Sequence, residues 1–386
     1  MPPTPEHLSQ TLTLAVLLPG DLRTQPAARI KYGFFLEALA RHAEIVGVRD
    51  ASLHGLARLW NAALVFHPDT ALWKARFYHN LPAFRARSRG AARWAASLQP
   101  PPDAVLQVGV LFDAAWRETG RPSFIYSDYT AALSARHKVR TRSPYSPRER
   151  RRWLALERRA YERATHVFVR SAMVRVSLVE DYGLAPQKIS VVGGGVNLSS
   201  LPPVPERAYP PRTLLFIGKE FYRKGGDVLL KAFARLRSAF PDARLLMMTN
   251  LPAGARSLPL EGVEVIAPTW ERSTVLKLYW RADVFVLPSR LETWGDVLLE
   301  AMAFGMPCVG VEGDAALEII TPGETGFVVP QAHPEALAAV LARLCADATL
   351  AQRMGLAGRR RVEQTFTWAH VAGRMGPVLR EKCGLR

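Results

Sequence analysis

Short apolar segments alternate with amphipathic stretches along most of the chain. Within the first 200 residues, the apolar segments predict buried strands at 12–18, 45–48, 104–110, 124–126, 166–169 and 189–192. The amphipathic stretches predict helices at 32–43, 147–164 and 172–182. Strands that alternate with helices in this way are typical of βαβ units and a mostly parallel sheet.

A proline-rich segment at 201–212, LPPVPERAYPPR, interrupts this alternation, because five prolines in twelve residues cannot continue a helix or a central strand. We interpret it as a linker between an N-terminal domain, 1–200, and a second α/β domain, 213–366. The second domain has predicted strands at 213–217, 243–248, 263–266, 284–287, 308–311 and 327–329, with helices at 227–240, 273–281, 297–304 and 334–347. In open parallel sheets, ligands bind at the carboxyl ends of the strands.

Composition narrows the class of protein. Hydrophobic residues make up 48% and charged residues 22% of the 386 positions, which excludes a globally disordered, collagen-like or coiled-coil chain. The longest apolar runs, at 12–18 and 283–288, fall short of the roughly 18 residues that a membrane-spanning helix needs. The N-terminus lacks the basic flank of a signal peptide. Cys308, Cys345 and Cys383 are too far apart for a metal site or a disulfide framework, so we expect a reducing compartment and a cytoplasmic protein.

The net charge is basic and unevenly distributed. Lys and Arg number 51 against 34 Asp and Glu, a net charge of +17, and residues 1–200 hold 28 of the basic and 15 of the acidic side chains. Residues 74–93 hold six basic and no acidic side chains, and residues 136–163 hold eleven and three. A codon bias toward arginine, an anionic membrane surface, an acidic ligand and a nucleic acid are all compatible with this pattern.

The strongest local feature lies at 284–307, where a predicted strand ends at Pro288 and a polar loop leads into a helix. Glu292 lies in the loop, and Glu300 follows eight residues later, just past the first helical turn. Carboxylates accept hydrogen bonds from hydroxyls, and a helix N-terminus binds phosphate, so the pair suits a ligand with both sugar and phosphate. The alternative is structural: Glu300 pairs with a nearby arginine and Glu292 is a solvated loop residue.

A second feature is the segment 214–226, LLFIGKEFYRKGG, in which Gly218 and Lys219 follow a strand and Lys224 precedes a helix. Glycine allows close backbone approach, and two lysines five residues apart can reach one anion. The segment lacks the P-loop pattern, and a plain strand–turn–helix with exposed lysines is the alternative. A third feature, three glycines at 193–195, has a flexible turn as its default interpretation.

Together these three features resemble the GT4 family of retaining glycosyltransferases, which have the GT-B fold and use nucleotide-sugar donors. The E-x7-E motif of the family matches Glu292 and Glu300. Its diphosphate motif, G-[RK]-x4-K-G, matches Gly218, Lys219, Lys224 and Gly225. The resemblance implies an α/β fold of two Rossmann-like domains whose parallel sheets face a central cleft. It also implies that the last helix, within 367–386, crosses back to the N-terminal domain.

The resemblance assigns different roles to the donor-site residues. Lys219 and Lys224 hold the donor diphosphate and neutralise the charge of the leaving group, an electrostatic stabilisation that is commonly the largest catalytic contribution. Glu300 accepts hydrogen bonds from the ribose hydroxyls. Glu292 contacts the transferred sugar, together with the backbone N–H groups of Thr293, Trp294 and Gly295. Because two lysines and a helix N-terminus can replace a cation, the resemblance implies no metal and no cofactor besides the nucleotide-sugar co-substrate.

The N-terminal half departs from the family pattern. Many members carry a histidine where this chain has FIYSDYT, so Asp128 is the candidate to orient the sugar or to act as a base. The alternative is that Asp128 caps the following helix, and His137 is a weaker substitute. Gly20, after the first strand, is the candidate to lie near the donor phosphate, where the family often has a glycine-rich loop.

The resemblance implies a retaining, metal-independent enzyme that moves a hexose from a nucleotide-diphosphate sugar to an acceptor hydroxyl. The basic N-terminal half suits an acidic or lipid-linked acceptor, such as a lipid or cell-surface glycan precursor, or an anionic surface at the inner face of the membrane. A same-fold phosphorylase or sugar-phosphate synthase is one alternative. A basic nucleic-acid-binding protein is another, but the chain has no helix-turn-helix, RNA-recognition or zinc signature, and we expect no specific nucleic acid.

Overall fold

The chain divides into two compact units. A computed structural model describes residues 11–116, 120–137, 143–207, 210–255 and 257–385. The first unit runs up to Arg170 and continues through Val174–Val192 and Val371–Arg386; the second comprises Ser171–Met173 and Gly193–His370. Parts of the predicted segments lie outside the described residues: 1–10, 117–119 and 138–142 of the N-terminal domain, 208–209 of the linker, 256 of the second domain and 386 of the C-terminal segment.

The boundary after Val192 differs from the predicted one at residue 200. The glycines at 193–195 pack within the second unit, where a Cβ added to Gly194 would lie 2.6 Å from the Trp294 ring. A Cβ added to Gly195 would lie 2.5 Å from the backbone nitrogen of Trp368. The default interpretation of this segment as a flexible turn is therefore wrong, because close packing requires glycine here.

The first unit is built on a parallel sheet. Its strands are β1 (Thr13–Leu18), β2 (Glu44–Asp50), β3 (Ala104–Val108), β4 (Ser123–Ser127), β5 (His166–Val169) and β6 (Ile189–Val191). They pair in the order β2-β1-β3-β4-β5-β6, and every pair is parallel. All residues of β3, β4 and β5 are buried, as expected for strands covered on both faces.

Helices connect these strands. They are α1 (Pro26–Leu39), α2 (Gly55–Leu64), α3 (Thr70–Tyr78), α4 (Leu81–Ser97), α5 (Ala131–Arg136), α6 (Pro147–Arg163) and α7 (Ala172–Glu180). The sequence predicted α1, α6 and α7, but it predicted no helix at 55–97. Asp69 and Asn80 cap the N-termini of α3 and α4 there, and both caps are readable in the sequence.

The second unit repeats the same architecture. Its strands are β7 (Thr213–Glu220), β8 (Arg244–Asn250), β9 (Val263–Ile266), β10 (Val284–Val286), β11 (Cys308–Val311) and β12 (Gly326–Val329). They pair in the order β12-β11-β10-β7-β8-β9, again in parallel. Each of the six strands predicted from the sequence in this unit is present.

The helices of this unit cover its sheet. They are α8 (Gly226–Ala239), α9 (Arg272–Arg281), α10 (Asp296–Ala303), α11 (Ala316–Ile319), α12 (Pro334–Ala346), α13 (Ala348–Thr365) and α14 (Trp368–Lys382). Most of α14 belongs to the first unit. None of the helices in the described part of the chain is both long and apolar enough to cross a lipid bilayer.

The strand order of this second sheet positions the motifs. Strands β11, β10 and β7 are neighbours, so the loops after their carboxyl ends lie side by side. The loop after β7 leads through residues 221–225 into α8, and the loop after β10 leads through 287–295 into α10. The two motifs that the sequence analysis identified separately therefore meet at one edge of the sheet, where ligands bind in folds of this type.

Candidate functional site

The loops after β7 and β10 are joined by backbone contacts. Gly225 is the N-cap of α8 in the left-handed conformation, with φ 75°. A Cβ at Gly225 would lie 1.8 Å from the carbonyl oxygen of Pro288, so the two loops touch at this glycine. The N–H of Arg290 donates to the carbonyl of Arg223 at 2.8 Å, and the Arg223 guanidinium donates to the carbonyl of Leu291 at 2.9 Å. The two loops therefore form one continuous surface.

An ion pair lies where the two motifs meet. Lys224 donates to a carboxylate oxygen of Glu292, and only 13% and 10% of the two side chains are exposed. Gly218 makes room for this arrangement, because a Cβ there would lie 2.7 Å from the Cβ of Lys224. Lys219, in contrast, is exposed at the surface. The alternative that Glu292 is a solvated loop residue is wrong, since this residue is buried.

Glu300 is buried in α10, where its carboxylate is held from two sides. Arg272, the first residue of α9, donates one nitrogen to each carboxylate oxygen at 2.9 and 3.1 Å. The hydroxyl of Tyr279 donates to Oε2 at 2.9 Å. Burial raises the pKa of Glu300, and the bonds from Arg272 and Tyr279 oppose that rise. Pairing with an arginine, one of the two readings of Glu300 from the sequence, is thus observed, and its predicted role toward ribose stays a prediction.

Arg272 also links this carboxylate to the glycine-rich segment. The Nη2 nitrogen of Arg272, which also bonds to Glu300, donates to the carbonyl of Asn197 at 2.9 Å. The side chain of Asn197 in turn accepts from the indole N–H of Trp368 at 3.0 Å. Glu300, Arg272 and Asn197 therefore form one hydrogen-bonded group at the edge of the site.

Two helices begin at this surface without a side-chain cap. Gly225 precedes α8, and Gly295, with φ 106°, precedes α10. Thr293 and Trp294 in the preceding turn are 5% and 4% exposed, and the Trp294 ring packs against Phe366. Helix N-termini carry partial positive charge, and uncapped ones are anion-binding sites. The backbone here can therefore receive a phosphate or a hydroxyl oxygen.

Asp314, in the loop after β11, is a carboxyl group that the sequence analysis missed. Its Oδ1 accepts from the N–H of Ala316 at 2.8 Å, and its Oδ2 is buried without a hydrogen-bond partner among the described residues. Burial, against the opposing Ala316 N–H and Lys224 and with a further contribution from Glu292, raises the pKa of Asp314 to about 8. At neutral pH this carboxyl group is therefore protonated and can donate a hydrogen bond.

Other residues of the site were also missed. Arg223 precedes Lys224 in the diphosphate motif, and its side chain is only 11% exposed and bonded to Glu220 at 2.9 Å. Arg272 lies outside both motifs, 28 positions before Glu300. Nothing local in the sequence distinguishes Tyr279 from a core aromatic residue. In the described ranges, no group of three or more His, Cys, Asp or Glu side chains is arranged to hold a metal ion.

The two candidates in the first unit, Gly20 and Asp128, follow β1 and β4. Gly20 has φ 111° and its N–H donates to Asp50 at 2.8 Å, which fixes a tight turn. Asp128 is exposed. Thr130 caps α5 by accepting from the N–H of Leu133 at 3.2 Å, so the alternative that Asp128 is the cap is wrong. The catalytic role of Asp128 stays a prediction.

Family models match most of the chain. The model described as Glycosyltransferase Family 4 matches residues 68–200, and the one described as Glycosyl transferases group 1 matches residues 202–361. A D-inositol 3-phosphate glycosyltransferase from Kineococcus radiotolerans is 31% identical over 248 residues, covering 56% of this chain and 57% of that protein. The chain thus spans little more than half the length of this curated relative.

Solved structures share the fold over nearly the whole chain. Sucrose-phosphate synthase from Thermosynechococcus elongatus superposes with a TM-score of 0.67 at 20% identity, covering 96% of this chain and 98% of that one. HepE from Anabaena, solved in complex with UDP and glucose, superposes with a TM-score of 0.62 at 14% identity, covering 96% and 100%. With two six-stranded parallel α/β units and both family models matched, this chain belongs to the GT4 glycosyltransferases and has the GT-B fold.

Proposed function

We propose that the enzyme moves a hexose from a nucleotide-diphosphate sugar to an acceptor hydroxyl, with retention of the anomeric configuration and without a metal ion. The observation that supports this most is the Lys224–Glu292 pair beside two uncapped helix N-termini. A cation and two positive helix ends suit a diphosphate, and the adjacent carboxylate suits the hydroxyls of the attached sugar.

In the proposed mechanism the protein stabilises the leaving group. As the bond between the anomeric carbon and the diphosphate breaks, negative charge grows on the leaving oxygen, and Lys224 and the N-termini of α8 and α10 neutralise it. Lys219, at the exposed edge, adds a second positive charge. The acceptor oxygen bonds to the same face of the anomeric carbon, and the leaving phosphate takes its proton, so no protein nucleophile is needed.

The carboxylates orient the donor in this proposal. Glu292, fixed by Lys224, accepts hydrogen bonds from hydroxyls of the sugar, helped by backbone N–H groups at Thr293, Trp294 and Gly295. Glu300 has two oxygens, each with further acceptor capacity, and receives the ribose hydroxyls beside Arg272. For Gly20 and Asp128 the proposal keeps the roles that the resemblance implies, toward the donor phosphate and the sugar. Asp314, protonated at neutral pH, donates to an oxygen of the donor.

A screen of nucleotides tests this proposal. We expect UDP, GDP or ADP, and the matching sugar nucleotide, to raise the melting temperature of the parent protein, because a ligand stabilises the state that binds it. Glu300→Ala should lose that response, whereas Glu335→Ala, which changes a half-exposed glutamate of α12, should keep it. Differential scanning fluorimetry measures both. If no nucleotide shifts the parent, or if Glu300→Ala responds as the parent does, the donor site is misassigned.

The dependence of donor affinity on pH follows from Asp314. We expect the affinity for a nucleoside diphosphate to be highest below pH 8 and to fall as the pH rises through about 8. The protonated carboxyl is neutral, whereas the ionised one adds negative charge beside Glu292 and repels the anionic ligand. Isothermal titration calorimetry between pH 7 and 9 measures this fall. Asp314→Asn stays neutral and should show a flatter profile, so identical profiles would contradict the role of Asp314.

The alternatives give different results in the same assays. A phosphorylase of this fold would cleave a glycoside with free phosphate and without a nucleotide. A nucleic-acid-binding protein would bind duplex DNA with strong salt dependence and would not respond to sugar nucleotides. A sugar-phosphate synthase would transfer the sugar to a sugar phosphate, which is one form of the acidic acceptor considered next.

We propose an acidic or lipid-linked acceptor and a cytoplasmic site of action. Exposed arginines on two helices of the first unit support the acidic acceptor: Arg85 and Arg89 on α4, and Arg148, Arg151 and Arg152 on α6. The cytoplasm is supported by three cysteines that are free in the structure, two of them buried, as is usual in a reducing compartment.

A further inference from the structure

Helix α2 presents its large apolar side chains to solvent instead of to the core. Leu56 is 85% exposed, Leu59 67%, Trp60 71% and Leu64 51%. These positions have the spacing i, i+3, i+4 and i+8, so the side chains share one face of the helix. Phe66, just after the helix, is 65% exposed and extends this face. A contiguous apolar surface of this kind marks an interaction site, unlike apolar residues that are scattered singly.

Polar contacts on the opposite side fix this orientation. Asn61 is 3% exposed, and its side-chain amide donates to the carbonyl of Phe77 at 2.9 Å. The oxygen of the same amide accepts from Asn80, the N-cap of α4, at 2.9 Å. The indole N–H of Trp73 in α3 donates to the carbonyl of Ala62 at 2.9 Å. An asparagine thus lies inside while leucine and tryptophan lie outside, so α2 is attached firmly with its apolar face outward.

The surroundings of this apolar face are basic. Residues 51–98 hold seven Lys or Arg and a single acidic residue, Asp69. The carboxylate of Asp69 is engaged as the N-cap of α3, where it accepts from two backbone N–H groups. Five of the basic side chains are exposed: Arg58 on α2, Lys74 on α3, and Arg85, Arg89 and Arg93 on α4. Anionic surfaces would therefore be attracted to the segment of the chain that carries the apolar face.

We propose that α2 and Phe66 insert into the boundary between the headgroups and the acyl chains of an anionic bilayer, with the exposed Arg and Lys side chains on the lipid phosphates. Ten residues make a helix about 15 Å long, which can lie in the plane of the interface but cannot span it. Trp60 is the kind of aromatic residue that membrane interfaces favour. Each exposed basic side chain adds attraction to anionic lipid.

Two other occupants fit the surface less well. A second copy of the chain would bring the same basic residues together, and segment 51–98 offers only Asp69 as an acidic partner, so like charges oppose such an interface. A helical peptide ligand requires a groove, whereas the apolar stripe lies along one convex helix. A second copy of the chain is one of the outcomes of the experiment below. The membrane proposal concerns the first unit alone and does not depend on the transfer reaction.

Sedimentation with lipid vesicles tests the proposal without any nucleotide. We expect the parent protein to pellet with vesicles of phosphatidylcholine and 30% phosphatidylglycerol, and far less with phosphatidylcholine alone. Raising the salt concentration to 1 M should weaken the binding, since salt screens the lipid charge. Leu59→Ser/Trp60→Ser should lower the partition coefficient by about tenfold or more, because two large apolar side chains no longer leave water.

A matched variant tests whether the loss of any exposed apolar side chains, also in the second unit, lowers vesicle binding. Trp280→Ser/Leu356→Ser changes two residues of the second unit that are 45% and 39% exposed, and it should bind vesicles as the parent does. Circular dichroism melting shows that each variant is folded. Three results would overturn the proposal: a parent that stays in the supernatant with anionic vesicles, equal loss in both double variants, or a parent dimer that Leu59→Ser/Trp60→Ser dissociates without any vesicle binding.

Discussion

Lys224→Ala is expected to lower kcat/KM for sugar transfer by roughly 10²–10³-fold, the range found when one preorganised group that stabilises a developing anion is removed. Lys224 is largely buried and fixed by Glu292, so it requires little reorganisation as charge develops on the leaving diphosphate. Lys219 is exposed, and water and salt screen the charge of an exposed side chain. Replacing Lys219 should therefore lower kcat/KM less than replacing Lys224.

Steady-state kinetics with the sugar nucleotide found in the screen measures this effect. Lys231→Ala is the matched control, because Lys231 lies in α8 seven residues further on and is exposed. The variant Lys224→Ala removes the lysine that pairs with the Glu292 carboxylate, and the negative charge of Glu292 could then itself repel the donor. Lys224→Ala/Glu292→Gln separates the two causes: recovery of most activity would show that Lys224 only neutralises Glu292 and does not act on the diphosphate.

The sequence predicted the elements of both sheets well because their signal is local. Parallel strands covered on both faces are nearly continuous apolar runs, as in 104–108 and 308–311, and each shows in the sequence without knowledge of its neighbours. The two motifs were also visible, since their glycines and charged residues lie within a few positions of one another. That the two motifs meet depends on the order of the strands, which the structure shows; the resemblance implied only that both motifs serve one donor site.

What the sequence could not provide were contacts between distant positions. Arg272 reaches Glu300 across 28 positions, and Lys224 reaches Glu292 across 68. The partner of Glu300 was therefore left open, although an arginine was one alternative. Asp314 was missed because its importance arises from burial beside Glu292 and Lys224, and burial is a property of the folded structure.

The helices at 55–97 were not predicted, and the apolar pattern there would also have misplaced the buried face. Sequence patterns assume that the apolar face of a helix is the buried one. In α2 the buried position is Asn61, and the leucines and Trp60 face outward. Basic residues also interrupt the apolar pattern of α4, where Arg87 is itself buried and donates to the carbonyl of Tyr78 at 2.8 Å. When a helix exposes its apolar side chains, as α2 does, the apolar positions in the sequence no longer identify its buried face.

Gly225→Ala is expected to lower the free energy of unfolding of the second unit by about 3 kcal/mol. Its melting temperature should fall by roughly 6–12 °C. Two costs act at this position. Its φ of 75° is unfavourable for any residue with a Cβ, and that Cβ would lie 1.8 Å from the carbonyl oxygen of Pro288. The backbone must therefore shift, which moves the N-terminus of α8 away from the loop that carries Glu292.

Two further glycines separate these costs. Gly313 has φ 77° with open space around its Cβ position, so Gly313→Ala should cost only the conformational part, on the order of 1 kcal/mol. Gly254 has neither a positive φ nor any atom closer than 3.9 Å, so Gly254→Ala should be nearly neutral. Calorimetric melting ranks the three variants. If Gly225→Ala melts like Gly313→Ala, close packing against Pro288 is not needed, and the joined loops would not be what positions Lys224 beside Glu292.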